Sequence, residues 1–173
     1  MHFRTLLLAA SLAYGTAAFA DEQYVVVHAL SDDGIGAVIG TIKLSDSPKG
    51  LMVDPDLGEL SPGKHGFHVH EKPDCAPADK DGKRTAGHAA GGHFDPRKSG
   101  KHLGPMGEGH MGDLPALDVS ENGEAVHMMI APRLKLADIK GRALMSHAGA
   151  DNYSDDPKPL GGGGPRVACG VVE

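Results

Sequence analysis

Ala37-Val38-Ile39-Gly40-Thr41-Ile42-Lys43-Leu44, within the stretch 35–44, reads as a β-strand. It is rich in β-branched residues and has turn residues on both sides. The same signal repeats outward from it. Tyr24-Val25-Val26-Val27 precedes it, and Leu51-Met52-Val53 and Gly66-Phe67-His68-Val69-His70 follow. Later runs are 125–130, 142–145 and 166–172. Gly, Pro and Asp turns separate these short strands, which predicts an all-β fold, an antiparallel sandwich or barrel. Only 134–139 has a helical look, a turn and a half at most.

Two long stretches, 71–113 and 147–165, do not read as strands. Loops of this length in a compact domain are usually functional. The composition fits a turn-rich β-protein with an aliphatic core: the 173 residues include 25 Gly and no Trp. There is no internal repeat, and Gly161-Gly162-Gly163-Gly164 is a flexible turn.

The first 20 residues read as a cleaved export signal. Arg4 is followed by the apolar run Leu6-Leu7-Leu8-Ala9-Ala10-Ser11-Leu12-Ala13, and Ala18-Phe19-Ala20 presents small residues at a cleavage site. The run is shorter than the roughly 20 residues a membrane span needs, so no membrane anchor is expected. The mature domain is then 21–173, and an oxidising compartment outside the cytoplasm is expected. The formal charge of the chain is −6, and loss of Arg4 makes it −7. Neither nucleic acid nor an anionic membrane is an expected partner. The two cysteines, Cys75 and Cys169, form an even pair in an oxidising compartment and are read as one disulfide.

There are 11 His, and their placement is informative. His68 and His70 stand two apart on a predicted strand, so both imidazoles point to one face. That pair suits a metal site or, equally, two exposed strand histidines. Gly92-His93-Phe94-Asp95-Pro96, Lys101-His102-Leu103-Gly104-Pro105 and Gly109-His110-Met111-Gly112-Asp113 follow. Each ligand is bracketed by Gly or Pro, so the backbone can fold tightly around a point. Three imidazoles and one carboxylate suit tetrahedral Zn²⁺; a solvated His-rich loop is the alternative. His147, just after Arg142-Ala143-Leu144-Met145, would complete with His68 and His70 an all-imidazole site suited to Cu(II).

These motifs carry a resemblance. Gly66-Phe67-His68-Val69-His70 resembles the copper motif of copper–zinc superoxide dismutases, and the three His-bearing segments resemble the family's zinc loop in order and spacing. Ala168-Cys169-Gly170-Val171-Val172 resembles its C-terminal signature. Gly112-Asp113-Leu114-Pro115-Ala116-Leu117 and Asp151-Asn152-Tyr153-Ser154-Asp155 resemble the bacterial branch. The similarity covers residues 23–173. It implies a Greek-key β-barrel or sandwich with two long functional loops, binding one copper and one zinc ion per subunit. The implied copper ligands are His68, His70, His93 and His147. The implied zinc ligands are His93, His102, His110 and Asp113, with His93 shared as a bridging imidazolate. Asp151 is implied to join His68 to His102, and Cys75 and Cys169 match the family disulfide.

The implied reaction is dismutation of superoxide to oxygen and hydrogen peroxide, as a defence against extracytoplasmic superoxide. His93 would carry a proton, and Arg166 matches the arginine of the substrate channel. Lys80, Lys83 and Arg84 are candidates for drawing the anion in. His28, His65, His88 and His127 match no ligand and are expected in ordinary surface or turn positions, with an extra metal contact left open at His88. The resemblance allows a homodimer or a monomer. A non-catalytic metal carrier is the rival reading, though such domains usually lack copper ligands or add a Cys-rich module.

Overall fold

Two short reversals build the first half of the main sheet. The computed structural model describes residues 21–173, so the predicted export signal lies outside the described residues. Strands β1 (Glu22–Ser31), β2 (Gly34–Ser47) and β3 (Gly50–Leu57) run as successive antiparallel hairpins. Ser31 pairs with Gly34 and Ser47 with Gly50, so each loop has two residues and pins its register. At Gly50, φ is +131° and a Cβ would strike the backbone of Ala131 and Pro132, so only glycine fits that turn.

The later strands are β4 (Gly63–His65), β5 (Phe67–His70), β6 (Ala78–Lys80), β7 (Lys83–Thr85), β8 (Leu117–Val119), β9 (Met129–Ala131), β10 (Arg142–His147) and β11 (Arg166–Val172). Seven form one antiparallel sheet in the order β5-β10-β11-β1-β2-β3-β9, while β4 pairs with β8 and β6 with β7. The last strand returns beside the first, leaving β11-β1-β2-β3 in Greek-key order. Val25, Ile42, Leu44, Val53 and Val69 of the large sheet share one buried apolar cluster with Leu117 and Val119 of β8. Both sheets thus close on one aliphatic core, as the expected sandwich or barrel requires.

Strand β5 is buried on both faces. Phe67 and Val69 enter the core, so alternation turns His68 and His70 outward, where they are also fully buried. The cover is the first long loop. The amide of Val69 donates to the Gly112 carbonyl (2.8 Å), and the amide of Phe94 donates to the Val69 carbonyl (2.8 Å). The loop therefore pairs with the free edge of β5 and brings His93 and Asp113 to it. On the neighbouring strands, Ala143 and Met145 pack with Ala90, Cys75 and Cys169 on the outer side of the sheet. The Cys75–Cys169 disulfide ties the same loop to β11, as expected.

Some boundaries differ from expectation. The predicted strand over 125–130 shrinks to Met129–Ala131, with Ala125 making one isolated bridge to Leu57. The helical segment is a single turn, α1 (Leu136–Ile139). The first loop is not wholly irregular, since it contains the β6–β7 hairpin and a 3-10 turn at His88–Ala90. The hairpin was hidden because its residues are polar and largely exposed.

Candidate metal centre

The ligand atoms of His68, His70, His93 and His147 lie within 4.8 Å of one another, and all four residues are buried. In each ring one nitrogen is buried without a hydrogen-bond partner: Nδ1 of His68 and Nε2 of His70, His93 and His147. The other nitrogens are engaged. His68 Nε2 meets Asp151 Oδ2 at 2.8 Å, His70 Nδ1 meets the Gly91 carbonyl at 3.0 Å, and His147 Nδ1 meets the Gly164 carbonyl at 3.0 Å. Those bonds fix ring orientation and leave one lone pair per ring for a common point. A buried polar atom without a partner is costly, so four converging on one point fit a bound metal.

A second set lies against the first. Around Asp113 Oδ1, the Nδ1 atoms of His102, His93 and His110 stand at 3.1, 3.2 and 3.6 Å. Ligands on a tetrahedron with bonds of about 2.0–2.1 Å stand about 3.3 Å apart, so these contacts have the length of tetrahedral edges. Nδ1 of His102 and His110 are buried and otherwise unpartnered. His68 also has a ligand atom within 4.8 Å of those of His93, His102 and Asp113. Its Nε2 is already held by Asp151 and its Nδ1 belongs to the first set, so His110 is the better fourth member. His93 alone serves both sets, with Nδ1 toward Asp113 and Nε2 toward the other three histidines.

Asp151 joins the sets a second time. Its Oδ2 meets His68 and its Oδ1 meets His102 Nε2, each at 2.8 Å. Asp155 adds a further hold, accepting the His102 amide at 2.8 Å; the sequence motif contained it without marking this role. Gly161 makes room for the bridge, because at its φ of +69° a Cβ would run into the Asp151 carboxylate and sit 2.8 Å from His102 Nε2.

Protonation differs between the two sets in the metal-free protein. Burial, aided by His93, pushes His68 down to about 3, and burial pushes His147 down to about 4. Burial also holds His70 and His93 below their usual value. Neutral imidazoles are the ligating form. At His102 burial acts the same way, but hydrogen bonds to Asp113 and Asp151 outweigh it and raise the ring to about 9. Burial would raise the two carboxylates, yet their histidine partners hold Asp113 and Asp151 well below the usual range.

A groove of about 470 Å³ leads from the surface to His147, lined among others by Lys80, Lys83, His88 and Arg166. Arg166 is half-buried and firmly held. Nη1 donates to the Gly87 carbonyl and Nη2 to the Gly91 carbonyl, both at 2.6 Å. The Gly91 carbonyl also faces His70, so Arg166 is registered against the first set, and its remaining N–H groups are left for an anion. Lys83 sits 3.5 Å from Asp32, which offsets its charge. Arg84 does not line the groove; its Nε donates to the Asp32 carbonyl. His88 faces the groove and joins neither metal set. His28 and His127 are in ordinary positions, but His65 is not. It is 2% exposed, with Nδ1 2.6 Å from the His147 carbonyl oxygen and Nε2 2.7 Å from that of Ser61. Its surface placement was a misreading, because the contact with His147 spans 82 residues and leaves no local signal.

The family described as copper/zinc superoxide dismutase (SODC) matches residues 38–172. The copper–zinc superoxide dismutase of Escherichia coli strain K12 is 52% identical over 164 residues, covering 94% of this chain and 95% of that one. The solved Cu/Zn superoxide dismutase from Brucella abortus superposes with a TM-score of 0.87 at 51% identity, covering 88% of this chain and 100% of that one. The solution structure of the monomeric copper, zinc superoxide dismutase from Salmonella enterica gives 0.80 at 50% identity, with coverage of 88% and 100%. With this match over most of its length and two histidine-rich clusters hinged on one ring, the chain belongs to the copper/zinc superoxide dismutase family.

Proposed function

We propose that this chain dismutates superoxide to oxygen and hydrogen peroxide in the periplasm. Copper is held by His68, His70, His93 and His147, and zinc by His93, His102, His110 and Asp113. The observation that carries the reading is the shared ring of His93, whose two nitrogens serve two separate buried ligand sets. When bound, copper supplies one-electron redox chemistry and zinc a fixed charge with no redox change.

The protein's own groups do the rest. Arg166 docks the superoxide anion beside His147 and His70, and Lys80 adds positive potential along the groove of an otherwise negative protein. His93 can hold a proton on Nε2, next to the place where peroxide must gain one. Asp151 keeps His68 and His102 in their tautomers and orientations. The Cys75–Cys169 bond holds the loop that carries the Arg166 carbonyl partners. All seven ligands come from one chain, so a monomer and a homodimer would work alike. Residues 1–20 direct export and are removed after Ala20, leaving 21–173 as the working domain.

Pulse radiolysis on the copper- and zinc-loaded protein tests the reaction. Superoxide should decay in proportion to the protein added; no acceleration with both metals bound would make the chain a metal carrier. N-terminal sequencing of the periplasmic protein should begin at Asp21, and an intact Met1 would overturn the export reading.

A further inference from the structure

We propose that Arg133 is a positioning residue for the zinc site, clamping residues 104–110 so that His102 and His110 both face Asp113. The proposal rests on the zinc reading of His93, His102, His110 and Asp113. Between His102 and Asp113 the chain forms no strand or helix, so its shape must come from individual bonds. Asp113 itself supplies some, accepting the amides of Leu103 and Gly104 on Oδ2 at 3.3 and 3.2 Å. The His110 amide donates to the Lys101 carbonyl at 2.8 Å.

The largest contribution is one guanidinium. Arg133 Nε donates to the Pro105 carbonyl (3.0 Å) and Nη1 to the Gly109 carbonyl (3.2 Å). Nη2 donates to the carbonyls of Gly104 (3.1 Å) and His110 (2.6 Å). These acceptors span the segment from end to end, and the last belongs to a zinc ligand. Among the described residues, the Pro105 and Gly109 carbonyls have no other hydrogen-bond partner.

Arg133 is itself well anchored. It lies between β9 and α1, and its neighbour Leu134 is 1% exposed in the core. It makes no ion pair among the described residues, so its half-buried charge is spent on main-chain carbonyls. A planar fork can reach several acceptors in fixed directions, which a compact ammonium cannot. The clamp therefore orders the zinc loop before metal arrives, while the copper ligands on β5 and β10 do not depend on it.

The test uses full-length mature protein carrying Arg133→Lys or Arg133→Met, with zinc and copper affinities measured by chelator competition on folded protein. The absorption spectrum of Co(II) in the zinc site is recorded alongside. Zinc should weaken about 10-fold or more, the scale for losing a group that orients ligands. The Co(II) bands should shift and copper affinity should hold. If Arg133→Met does not fold, Arg133→Lys decides, since it keeps the charge and loses only the fork. Wild-type zinc affinity with an unchanged Co(II) spectrum would overturn the proposal, as would equal losses of both metals. His110→Ala is the control: if it leaves zinc affinity unchanged, the zinc assignment fails and the role of Arg133 with it.

Discussion

The two halves of the metal centre are built differently. His68, His70 and His147 stand on paired strands β5 and β10, whose other face is anchored in the core. His93, His102, His110 and Asp113 stand on a long loop, none of them in a strand or helix. Strand ligands inherit their geometry from the pleat, whereas loop ligands need separate fastenings. The structure supplies these through the disulfide, Asp113 Oδ2, Asp151, Asp155 and Arg133. The difference teaches where the protein is vulnerable: strand ligands fail through their own substitution, loop ligands also through loss of what holds them.

The largest effect expected from this contrast is on the disulfide. Cys75→Ser with Cys169→Ser should cost roughly 2–5 kcal/mol of stability, because the bond closes a loop with a sequence separation of 94. Urea unfolding should show that loss, and metal analysis should show zinc falling before copper. Equal stability in the reduced and oxidised proteins would contradict it.

Next comes Arg166→Glu, which should leave both metals bound but slow the reaction roughly 10–100-fold, since it repels the anion from its dock. Arg166→Lys should be milder. The wild-type rate should fall with added salt, the Debye length being about 10 Å at 0.1 M, and the glutamate variant should lose that fall. If both proteins show the same rate and salt slope, substrate steering belongs to Lys80 instead.

Asp151→Asn tests the second link between the halves. Removing its charge should weaken zinc about tenfold in chelator competition. Unchanged binding would make the contact with His68 and His102 incidental.

The smallest effect is in pH dependence, and there His102 has the opposite sign to His68 and His147. In the metal-free protein His68 and His147 lie near 3 and 4, below their ordinary 6.5. The unfolded chain then binds more protons, so their contribution is intact above pH 6.5 and lost as pH falls through about 4 for His147 and about 3 for His68. Each such ring can cost up to about 1.4 kcal/mol per pH unit. His102, raised to about 9, contributes below pH 6.5 and loses its contribution as pH rises through 9. Tm of the metal-free protein should therefore fall on both sides, and His102→Gln should flatten the alkaline side. A single-sided profile would contradict this assignment.

The same contrast governs what could be read in advance. Strand spacing alone puts His68 and His70 on one face but suits two exposed histidines equally, so their reading as ligands came through the family resemblance, as did that of the loop ligands, which their Gly and Pro brackets also marked. Asp151 came only through the resemblance, since its two partners lie 83 and 49 residues away. Arg133 bonds only to carbonyls remote in sequence, and the contact of His65 with the His147 carbonyl spans 82 residues, so neither has a local signature. Lys83 looked like a free cation because its pairing with Asp32 exists only after folding. Strands β4 and β8, three residues each, were too short to stand out from their turns.

The central claim is that one ring, His93, joins two otherwise separate sites. Elemental analysis of copper and zinc in purified His93→Ala and His147→Ala tests it most directly. The account predicts that His93→Ala loses a ligand from each site and weakens both metals, whereas His147→Ala loses copper and keeps zinc. Equal loss of both metals in His147→Ala, or loss of only one in His93→Ala, would contradict it.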